Sequence, residues 1–580
     1  MAEKESGGEF SLKSFFSPFT TLRTIHWIIL IGFIVFLNGL FNSFVGDDLG
    51  QIVENPLVHS IGNISLFFSS STFYNGSTQL IGNYFRPIYI SFFSIIYSLF
   101  GPSFFAYHLF QLIFHITNTI LIFVILKRFL NKHISFFLSL IFLIHPINSE
   151  VVMYIAHTQE VLFLFFGLMY LLMLNYKSFK YFLFANIFLL LSILSKESGI
   201  LFLFISFFWT LFFERKNLIK NSLSGGLVIL IYLVLRFHAI GFISSPHNSP
   251  IAQANLYVRL LNIPEMFFFY LKTFIFPIQL SSSYQWVITN INFDNFYLPL
   301  FIDLGFLVLF FGGGWVLYQQ KGRATFYSYL FFLLWFLLGI GIHMQIIPLD
   351  ATVSEAWFYF PIIGLLGMIG IFFSSMKVKI KPIWFVLLGF VIISLLSLRT
   401  FIRTFDWRNE FTIATHDLKV SSSAWGLENE LSYAYFSKND YKNAKIHAQK
   451  SINLHPFMTN YINLGAADFA LGNYKEAKNA FLTSLKYGDL YQTYENLGFL
   501  ALSYGDPKES ILFLKNALKK YPNDAKLWMC LAALEYNFGD KEMAKIDINR
   551  AYLLEQTSQI VGVYNAIISS QPVRIPLTTK

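Results

Sequence analysis

The feature that most constrains the fold is a series of long apolar segments within the first 398 residues. Runs of roughly 17–25 apolar residues recur there, the length with which an α-helix crosses ~30 Å of hydrocarbon. Only 13% of the chain is charged and its mean hydropathy is +0.54, whereas soluble proteins contain about 25% charged residues. A water-facing core cannot bury this much apolar surface. The sequence therefore predicts an all-α, polytopic transmembrane helical bundle.

Eleven membrane spans are predicted from these runs. They lie near residues 25–45, 104–126, 134–146, 158–175, 179–195, 198–213, 222–236, 297–318, 325–342, 357–373 and 382–398. The shorter apolar stretches 87–100 and 262–278 are interpreted as interfacial or re-entrant helices. The first span has no small-residue cleavage site after a short apolar core, so we expect a retained anchor and not a signal peptide.

The distribution of Lys and Arg predicts the orientation in the membrane. Sixteen of these residues lie in one set of alternate loops, among them Lys127, Arg215 and Lys321. The opposite loops, up to the polar C-terminal region, contain five: Arg86, Lys196, Arg236, Arg259 and Lys272. Because cytoplasmic loops are enriched in positive charge, we expect a cytoplasmic N-terminus and an extracytoplasmic C-terminal region. This asymmetry accounts for the net charge of +9 without nucleic-acid binding.

The region after about residue 425 contains a repeat of 33–34 residues. Leu431, Leu464, Leu497 and Leu531 recur at this spacing, and Gly472, Gly505 and Gly539 follow three of them after eight residues. Ala444, Ala477 and Ala544 recur at thirteen. This period and these small residues are typical of tetratricopeptide (TPR) helix pairs. Four pairs are expected to stack into an α-solenoid with a concave face.

The predicted domain order follows from these two regions. Residues 1–24 form a cytoplasmic tail, 25–398 the membrane domain with an outer loop at 46–103, 399–424 a linker, 425–557 the repeat domain and 558–580 a C-terminal tail. The single cysteine, Cys530, excludes an intramolecular disulfide.

Polar residues gather at the end of the bundle that we assign to the outside. Asp47 and Asp48 follow the first span and open a long loop that ends at Arg86. Paired carboxylates there suit general-base catalysis or cation binding, with a solvated loop start as the structural alternative. His145 and Glu150 either satisfy the backbone around Pro146 or face a substrate.

Further ionisable residues are predicted at the same end. Lys196 suits a lipid-linked phosphate, or it forms an ion pair with Glu197 or another carboxylate. Arg236 precedes a long outer segment. No Walker loop, dinucleotide-binding glycine motif or nucleophile elbow is present.

Several motifs together resemble those of GT-C glycosyltransferases, in particular the transmembrane-and-TPR O-mannosyltransferase family and its bacterial relatives. The resemblance covers nearly the whole chain in the same order. Its residues are Asp47-Asp48 with Asn55-Pro56, Arg86-Pro87, the segment from His108 to Asn118, His145-Pro146 with Glu150, Ser195-Lys196-Glu197 with Gly199, and Asp406-Trp407-Arg408-Asn409-Glu410.

The resemblance implies an inverting hexosyltransferase. Such an enzyme moves mannose or another hexose from dolichyl- or undecaprenyl-phosphate to an acceptor hydroxyl, which we expect on protein, outside the cytoplasm. It implies Asp47 as the base and Asp48 as an assisting or orienting residue, or both as ligands of a divalent cation such as Mg or Mn. Lys196 and Arg236 are expected to bind the leaving phosphate, and Arg86, His145, Glu150 and Glu197 to shape the pocket. The repeats are expected to bind the acceptor protein or only to cap the bundle.

Two departures from the family pattern affect the expected donor site. Ala356 stands where the family usually has an Arg, and Thr158 or Gln159 where an Arg often precedes the carboxylate matched to Glu160. The donor phosphate would then be held differently, by Arg236 or Lys196. A different donor or lost activity is also compatible with these changes.

Other functions remain open at this point. The alternatives are an envelope polysaccharide polymerase or ligase that uses lipid-linked oligosaccharide, and a membrane-anchored TPR scaffold without enzymatic activity. A transporter is disfavoured because no internal inverted repeat is evident. The expected location is a bacterial inner membrane, or the endoplasmic reticulum in a eukaryote.

Overall fold

A computed structural model describes residues 20–74, 84–174, 176, 178–241, 249–376 and 382–573. The membrane-domain helices of eight or more residues are α1 Thr21–Phe36, α2 Pro87–Phe100, α3 Phe104–Leu126, α4 Lys132–Ile144, α5 Thr158–Met173, α6 Phe179–Ser195, α7 Leu201–Phe213, α8 Leu218–Ile240, α9 Ile263–Ile275, α10 Leu298–Lys321, α11 Arg323–Gly341, α12 Pro361–Ser375 and α13 Pro382–Asp406. Between these helices, Tyr284 and Val353 form an isolated β-bridge. The all-α membrane bundle is thus confirmed.

Each of the eleven predicted spans coincides with a helix. Within the described ranges, seven helices are long and apolar enough to cross a membrane, or eight if Lys132–Ile144 and Pro146–Met153, bent by 49°, form one span. Three further predicted spans correspond to the shorter apolar helices Phe179–Ser195, Glu197–Phe213 and Pro361–Ser375. The chain is a multi-pass membrane protein.

The two shorter apolar stretches are helical as expected. Pro87–Phe100 and Ile263–Ile275 both begin with proline in the first turn, where the missing N–H costs no hydrogen bond. Residues 1–19 of the predicted N-terminal tail lie outside the described residues. The same holds for Lys377, Lys379 and Lys381, which belong to the sixteen positive residues of the predicted cytoplasmic loops.

The C-terminal region is a solenoid of four helix pairs, which confirms the repeat domain. The pairs are α15 Trp425–Ser437 with α16 Tyr441–Leu454, α17 Met458–Ala470 with α18 Tyr474–Ser484, α19 Tyr491–Ala501 with α20 Pro507–Lys520, and α21 Ala525–Phe538 with α22 Lys541–Leu554. Gly472 and Gly505 adopt positive φ in the tight turns, a conformation that glycine adopts without steric cost. In the first repeat, Asn439 takes this position with φ 61°.

The predicted linker 399–424 is largely helical. Helix α13 continues to Asp406, and α14 spans Glu410–Asp417. The buried Arg403 binds both carboxylate oxygens of Asp417 at 2.7 and 3.0 Å. Asp417 also accepts a hydrogen bond from the Ser282 N–H at 2.6 Å. These buried charge-assisted bonds fix α14, which precedes the repeats, to α13 and to the loop between α9 and α10.

The predicted C-terminal tail also begins with a helix. Residues Ser558–Ile568 form α23, and Ile560, Val563 and Ile567 are buried against the last repeat. This helix covers the apolar face that the final pair would otherwise expose to water, as terminal repeats of solenoids require.

Candidate active site

The loop that follows the first span and carries Asp47 and Asp48, which we call the aspartate loop, begins at Gly46. The backbone conformation there requires glycine. Gly46 has φ +52°, and an added Cβ would lie 2.8 Å from the Tyr154 hydroxyl. The same hydroxyl accepts a hydrogen bond from the Asp47 N–H at 2.9 Å. Gly46 and Tyr154 therefore determine where the Asp47 side chain projects.

Asp48 is fully buried and binds backbone amides. Its Oδ1 accepts a hydrogen bond from the Ala156 N–H at 2.7 Å, and its Oδ2 accepts one from the Val45 N–H at 3.1 Å. Burial is the largest cause that raises the pKa of Asp48. The geometry gives Asp48 a positioning function, because it fixes the aspartate loop to the segment before α5.

Asp47, in contrast, is exposed and lines a cavity. The surrounding walls remove water from its carboxylate and raise its pKa, and the Asp350 carboxylate raises it further. A hydrogen bond with Tyr154 lowers the pKa and partly offsets these effects. A carboxylate that is accessible and more basic than usual is suited to accept a proton.

The motif at 406–410 holds the aspartate loop in place. Glu410, at the N-terminus of α14, accepts a hydrogen bond from the Gly46 N–H at 3.2 Å. The Ser43 N–H donates to the Arg408 carbonyl at 3.0 Å, and Trp407 stacks on Tyr154 with 5.7 Å between ring centroids. Burial raises the pKa of Glu410 to about 7, and Asp47 contributes to this rise.

The two cations expected to bind a phosphate, Lys196 and Arg236, lie in one cluster with Arg86. The Arg86 Nε donates to Glu197 at 2.8 Å, and Arg236 lies 4.0 Å from the other Glu197 oxygen. Lys196 pairs with the buried Glu160. The cluster therefore contains three cationic and two acidic side chains. Arg236 and Glu197 are its more exposed members, with side-chain exposures of 21% and 32%.

Tyr84 and Asp350 connect this cluster to Asp47. The Arg86 guanidinium lies 4.1 Å from the centre of the Tyr84 ring, and the Tyr84 hydroxyl donates to Asp350 at 2.5 Å. The Asp350 carboxylate also raises the pKa of Asp47.

The structure gives His145 and Glu150 backbone partners. The His145 ring accepts from the Ile147 N–H at 3.2 Å and bonds the Phe274 carbonyl at 2.9 Å. Glu150 accepts from the Ala356 N–H at 2.9 Å. These bonds favour the structural alternative at the bend after α4. Contact of either residue with substrate stays a prediction.

Both departures from the family pattern have a local explanation. The Ala356 side chain is fully buried, and its backbone N–H contacts Glu150. Gln159 accepts a hydrogen bond from the Arg86 guanidinium, so a neutral side chain orients the cation there. Arg86 binds Gln159, and Arg236 lies beside the same Glu197 that Arg86 binds, so both arginines supply positive charge near Gln159.

A cavity of about 600 Å³ separates the aspartate loop from the concave face of the solenoid. Asp47, Glu54 and Asn55 line it from the loop. Glu410 lines it from α14, and α15, α17 and α19 contribute residues from the repeats. Asp47 therefore faces the repeat domain across this cavity.

The divalent cation considered for Asp47 and Asp48 stays a prediction. In the ranges that the structure describes, no three His, Cys, Asp or Glu side chains are grouped as metal ligands. Both Asp48 oxygens already accept backbone N–H groups. The described donor set does not fit a metal site, and the proposed mechanism uses none.

Comparison with known proteins supports the expectation drawn from the motifs. Residues 86–239 match the family model "Dolichyl-phosphate-mannose-protein mannosyltransferase", a segment that contains the whole cation cluster. The chain is 24% identical over 446 residues to Protein O-mannosyl-transferase F38B6.6 of Caenorhabditis elegans, covering 75% of this chain and 63% of that protein. It is 24% identical over 483 residues to human Protein O-mannosyl-transferase TMTC3, covering 75% and 52%.

The resemblance to the protein O-mannosyl-transferases is confirmed. The chain spans between about half and two thirds of the length of these two relatives. Among solved structures, ArnT from Cupriavidus metallidurans bound to undecaprenyl phosphate matches with a TM-score of 0.40 and 14% identity over 79% of both chains. YrrB, a TPR protein with an unusual peptide-binding site, matches 27% of this chain and 82% of its own with a TM-score of 0.24 and 18% identity. Neither score is high enough to support an argument about function.

Sequence reasoning missed four residues around Asp47. Tyr154 and Asp350 lie in loops far from it in sequence, and no spacing rule connects them to it. Glu410 was part of a recognised motif without an assigned role. Glu430 lines the cavity from α15, and its pKa is raised by burial and by Glu410 and Asp47.

Proposed function

We propose that this chain transfers mannose or a related hexose from a polyprenyl-phosphate carrier to a hydroxyl group of a protein. The observation that supports the proposal best is the accessible Asp47 carboxylate in the cavity under the repeats, in a membrane domain that also contains the cation cluster. Donor and acceptor would approach this carboxylate from opposite sides. The matched family segment and the names of the relatives agree with this reaction.

The proposed reaction is a single displacement at the anomeric carbon of the donor sugar. The acceptor oxygen attacks this carbon and forms the new C–O bond, while the bond to the phosphate oxygen breaks. The electron pair of the broken bond stays on the phosphate. The hydroxyl proton moves to the Asp47 carboxylate, whose raised pKa suits a general base.

The leaving phosphate is stabilised by positive charge in this mechanism. Arg236 and Arg86 flank the partly exposed Glu197. A donor phosphate that enters there replaces the Glu197 carboxylate as the partner of these two arginines. The more deeply buried pair of Lys196 with Glu160 supports this wall of the site. Preorganised cations at a developing negative charge are a large contribution to catalysis.

The proposal includes an orientation with the site and the repeats outside the cytoplasm. The sixteen-to-five distribution of positive residues supports it. Asp47, Lys196, Arg236 and the repeat domain all lie at one end of the bundle, as this orientation requires. The location would be a bacterial inner membrane or the endoplasmic reticulum.

The substitution Asp47→Asn tests the assignment of the base. Purified protein in lipid would receive radiolabelled polyprenyl-phosphate mannose or glucose together with acceptor proteins. We expect Asp47→Asn to lower the transfer rate about 10²- to 10⁴-fold, the usual contribution of a general base. Asp294→Asn is the matched control, since Asp294 is exposed and lies outside the described site.

Two results would contradict the proposal. Full transfer by folded Asp47→Asn protein would exclude Asp47 as the base. If wild-type protein transferred sugar from lipid-linked oligosaccharide but from none of the monophosphate donors, the polymerase or ligase alternative would be favoured.

A further inference from the structure

Three asparagines recur on the concave face of the solenoid. Asn429, Asn463 and Asn496 are 34 and 33 residues apart, and they lie on the first helices of three consecutive pairs. All three are half-buried and line the cavity that contains Asp47. This spacing places one carboxamide per repeat along a single wall, and we call these residues the asparagine row.

The asparagine row retains unused hydrogen-bonding capacity. The Asn463 Nδ2 donates to the Asn429 Oδ1 at 2.9 Å, and the Asn429 Nδ2 donates to Thr459 at 3.4 Å. The Asn463 carbonyl oxygen and the Asn496 carboxamide form no hydrogen bond to another described side chain or backbone group. A carboxamide offers both a donor and an acceptor, which matches the N–H and C=O groups of a peptide backbone.

The charge of the cavity indicates what kind of segment it binds. Four carboxylates line it: Asp47, Glu54, Glu410 and Glu430. No Lys or Arg is among the described lining residues. The pKa values of Asp47, Glu410 and Glu430 are raised, and a cationic group bound among them stabilises their ionised forms, whereas an anionic lipid phosphate does not.

Aromatic side chains complete the binding surface. Trp425, Tyr433 and Tyr491 line the cavity from the repeats, and Phe73 lines it from the aspartate loop. Aromatic faces bind Lys and Arg side chains through cation–π contacts. A volume of about 600 Å³ lies within the range of roughly 300–1,000 Å³ that is usual for ligand pockets.

We propose that this cavity binds an extended segment of the acceptor protein that carries Lys or Arg near the Ser or Thr to be modified. The asparagine row holds the backbone of the segment, Glu54, Glu410 and Glu430 bind its basic side chains, and Asp47 receives the hydroxyl group. The inference rests on the proposed function for the fate of the hydroxyl. The binding itself requires no sugar donor.

The test separates peptide binding from sugar transfer. Full-length protein in lipid nanodiscs, without donor, would be titrated with fluorescent Ser/Thr peptides that contain either Lys or Glu beside the hydroxyl residue. We expect the Lys peptide to bind at least about tenfold more tightly, because the cavity is acidic. This preference should weaken as salt increases.

The double variant N463A/N496A tests the asparagine row. Loss of two hydrogen bonds predicts about tenfold weaker binding of the Lys peptide. In the transfer assay we expect KM for this peptide to rise by a similar factor while kcat changes less than about twofold. Asn479→Ala is the matched control, because Asn479 is exposed on α18 and does not line the cavity. Equal thermal stability of the two variants would show that the solenoid remains folded.

The outcomes distinguish the two proposals. Equal affinity for the Lys and Glu peptides, or unchanged binding by folded N463A/N496A, would overturn the inference even if sugar transfer occurs. Selective peptide binding without transfer from any donor would retain the inference and overturn the proposed function.

Discussion

Asp47 and Asp48 are adjacent and chemically identical, yet their surroundings assign them different tasks. Both Asp48 oxygens accept backbone N–H groups inside the protein, whereas Asp47 lines the cavity. A buried carboxylate that is fully hydrogen-bonded to the backbone stabilises a loop. An exposed carboxylate with a raised pKa is available for proton transfer. At the scale of single residues, accessibility therefore separates the proposed base from its support.

Asp350→Asn should change the pH dependence of transfer. The base acts when ionised, so activity falls as the pH decreases through the Asp47 pKa. Asp350 raises that pKa, so removal of its charge should shift the acidic limb of the kcat/KM profile to lower pH. The substituted carboxamide can still accept the Tyr84 hydrogen bond, which limits structural damage.

The measurement is a pH profile of transfer for wild type, Asp350→Asn and the control Asp294→Asn. We expect the control to follow the wild type. A limb that stays in place, or that moves to higher pH, would show that Asp350 does not act on the base electrostatically.

Part of this candidate site could be selected from the sequence. The aspartate pair, Arg86, Lys196 and Arg236 were recognised because ionisable residues are rare in such an apolar chain. Whether His145 and Glu150 bond the backbone or contact a substrate was left open. A helix bend with unpaired backbone groups and a substrate pocket both contain polar residues of these types. The asparagine row has the same repeat spacing as the leucines, so alignment of the repeats alone would have revealed it.

At the scale of helices, α11 and α12 pack with almost no space between their backbones. A Cβ added at Gly364 would lie 2.3 Å from the Phe336 backbone nitrogen and 2.7 Å from the Phe332 carbonyl oxygen. Small residues allow such close approach of membrane helices, where packing drives association. The aromatic Phe358–Phe360 segment precedes α12 and depends on this placement.

Gly364→Ala should therefore destabilise the bundle by about 1–3 kcal/mol, the usual cost of overpacking. Gly312→Ala is the matched control, because an added Cβ at Gly312 contacts nothing within 4 Å. Thermal unfolding in detergent should give a lower Tm for Gly364→Ala only. Equal values for the two variants would contradict the close packing of α11 and α12.

The helix α23 extends helical structure beyond the predicted end of the repeats at residue 557. Ile560, Val563 and Ile567 follow helical spacing and are buried, a pattern that was readable in the sequence. It lies outside the 34-residue period, so an argument from repeats alone excluded it. Periodicity predicted the repeated pairs, while the capping helix follows from the need to cover the last apolar face.

At the scale of the whole molecule, the membrane domain and the cavity under the repeats present charges of opposite sign. The cation cluster lies within the membrane domain, and the carboxylates of the cavity face the repeats. Under the proposed function, this arrangement favours an anionic lipid donor at the cation cluster and a basic polypeptide in the cavity. It requires the site and the repeats to share one side of the membrane.

The proposed orientation, with the repeats outside the cytoplasm, predicts which positions react with a membrane-impermeant maleimide. Lys475 is exposed on α18 in the repeat domain. Lys321 is exposed at the C-terminal end of α10, in a loop that the proposed orientation places in the cytoplasm. In intact spheroplasts we expect K475C to be labelled and K321C to react only after permeabilisation. Wild type is the background control, since its single cysteine, Cys530, is buried. Labelling of K321C but not K475C in intact spheroplasts would reverse the topology. Asp47 would then face the cytoplasm, and acceptor proteins would have to be modified before export.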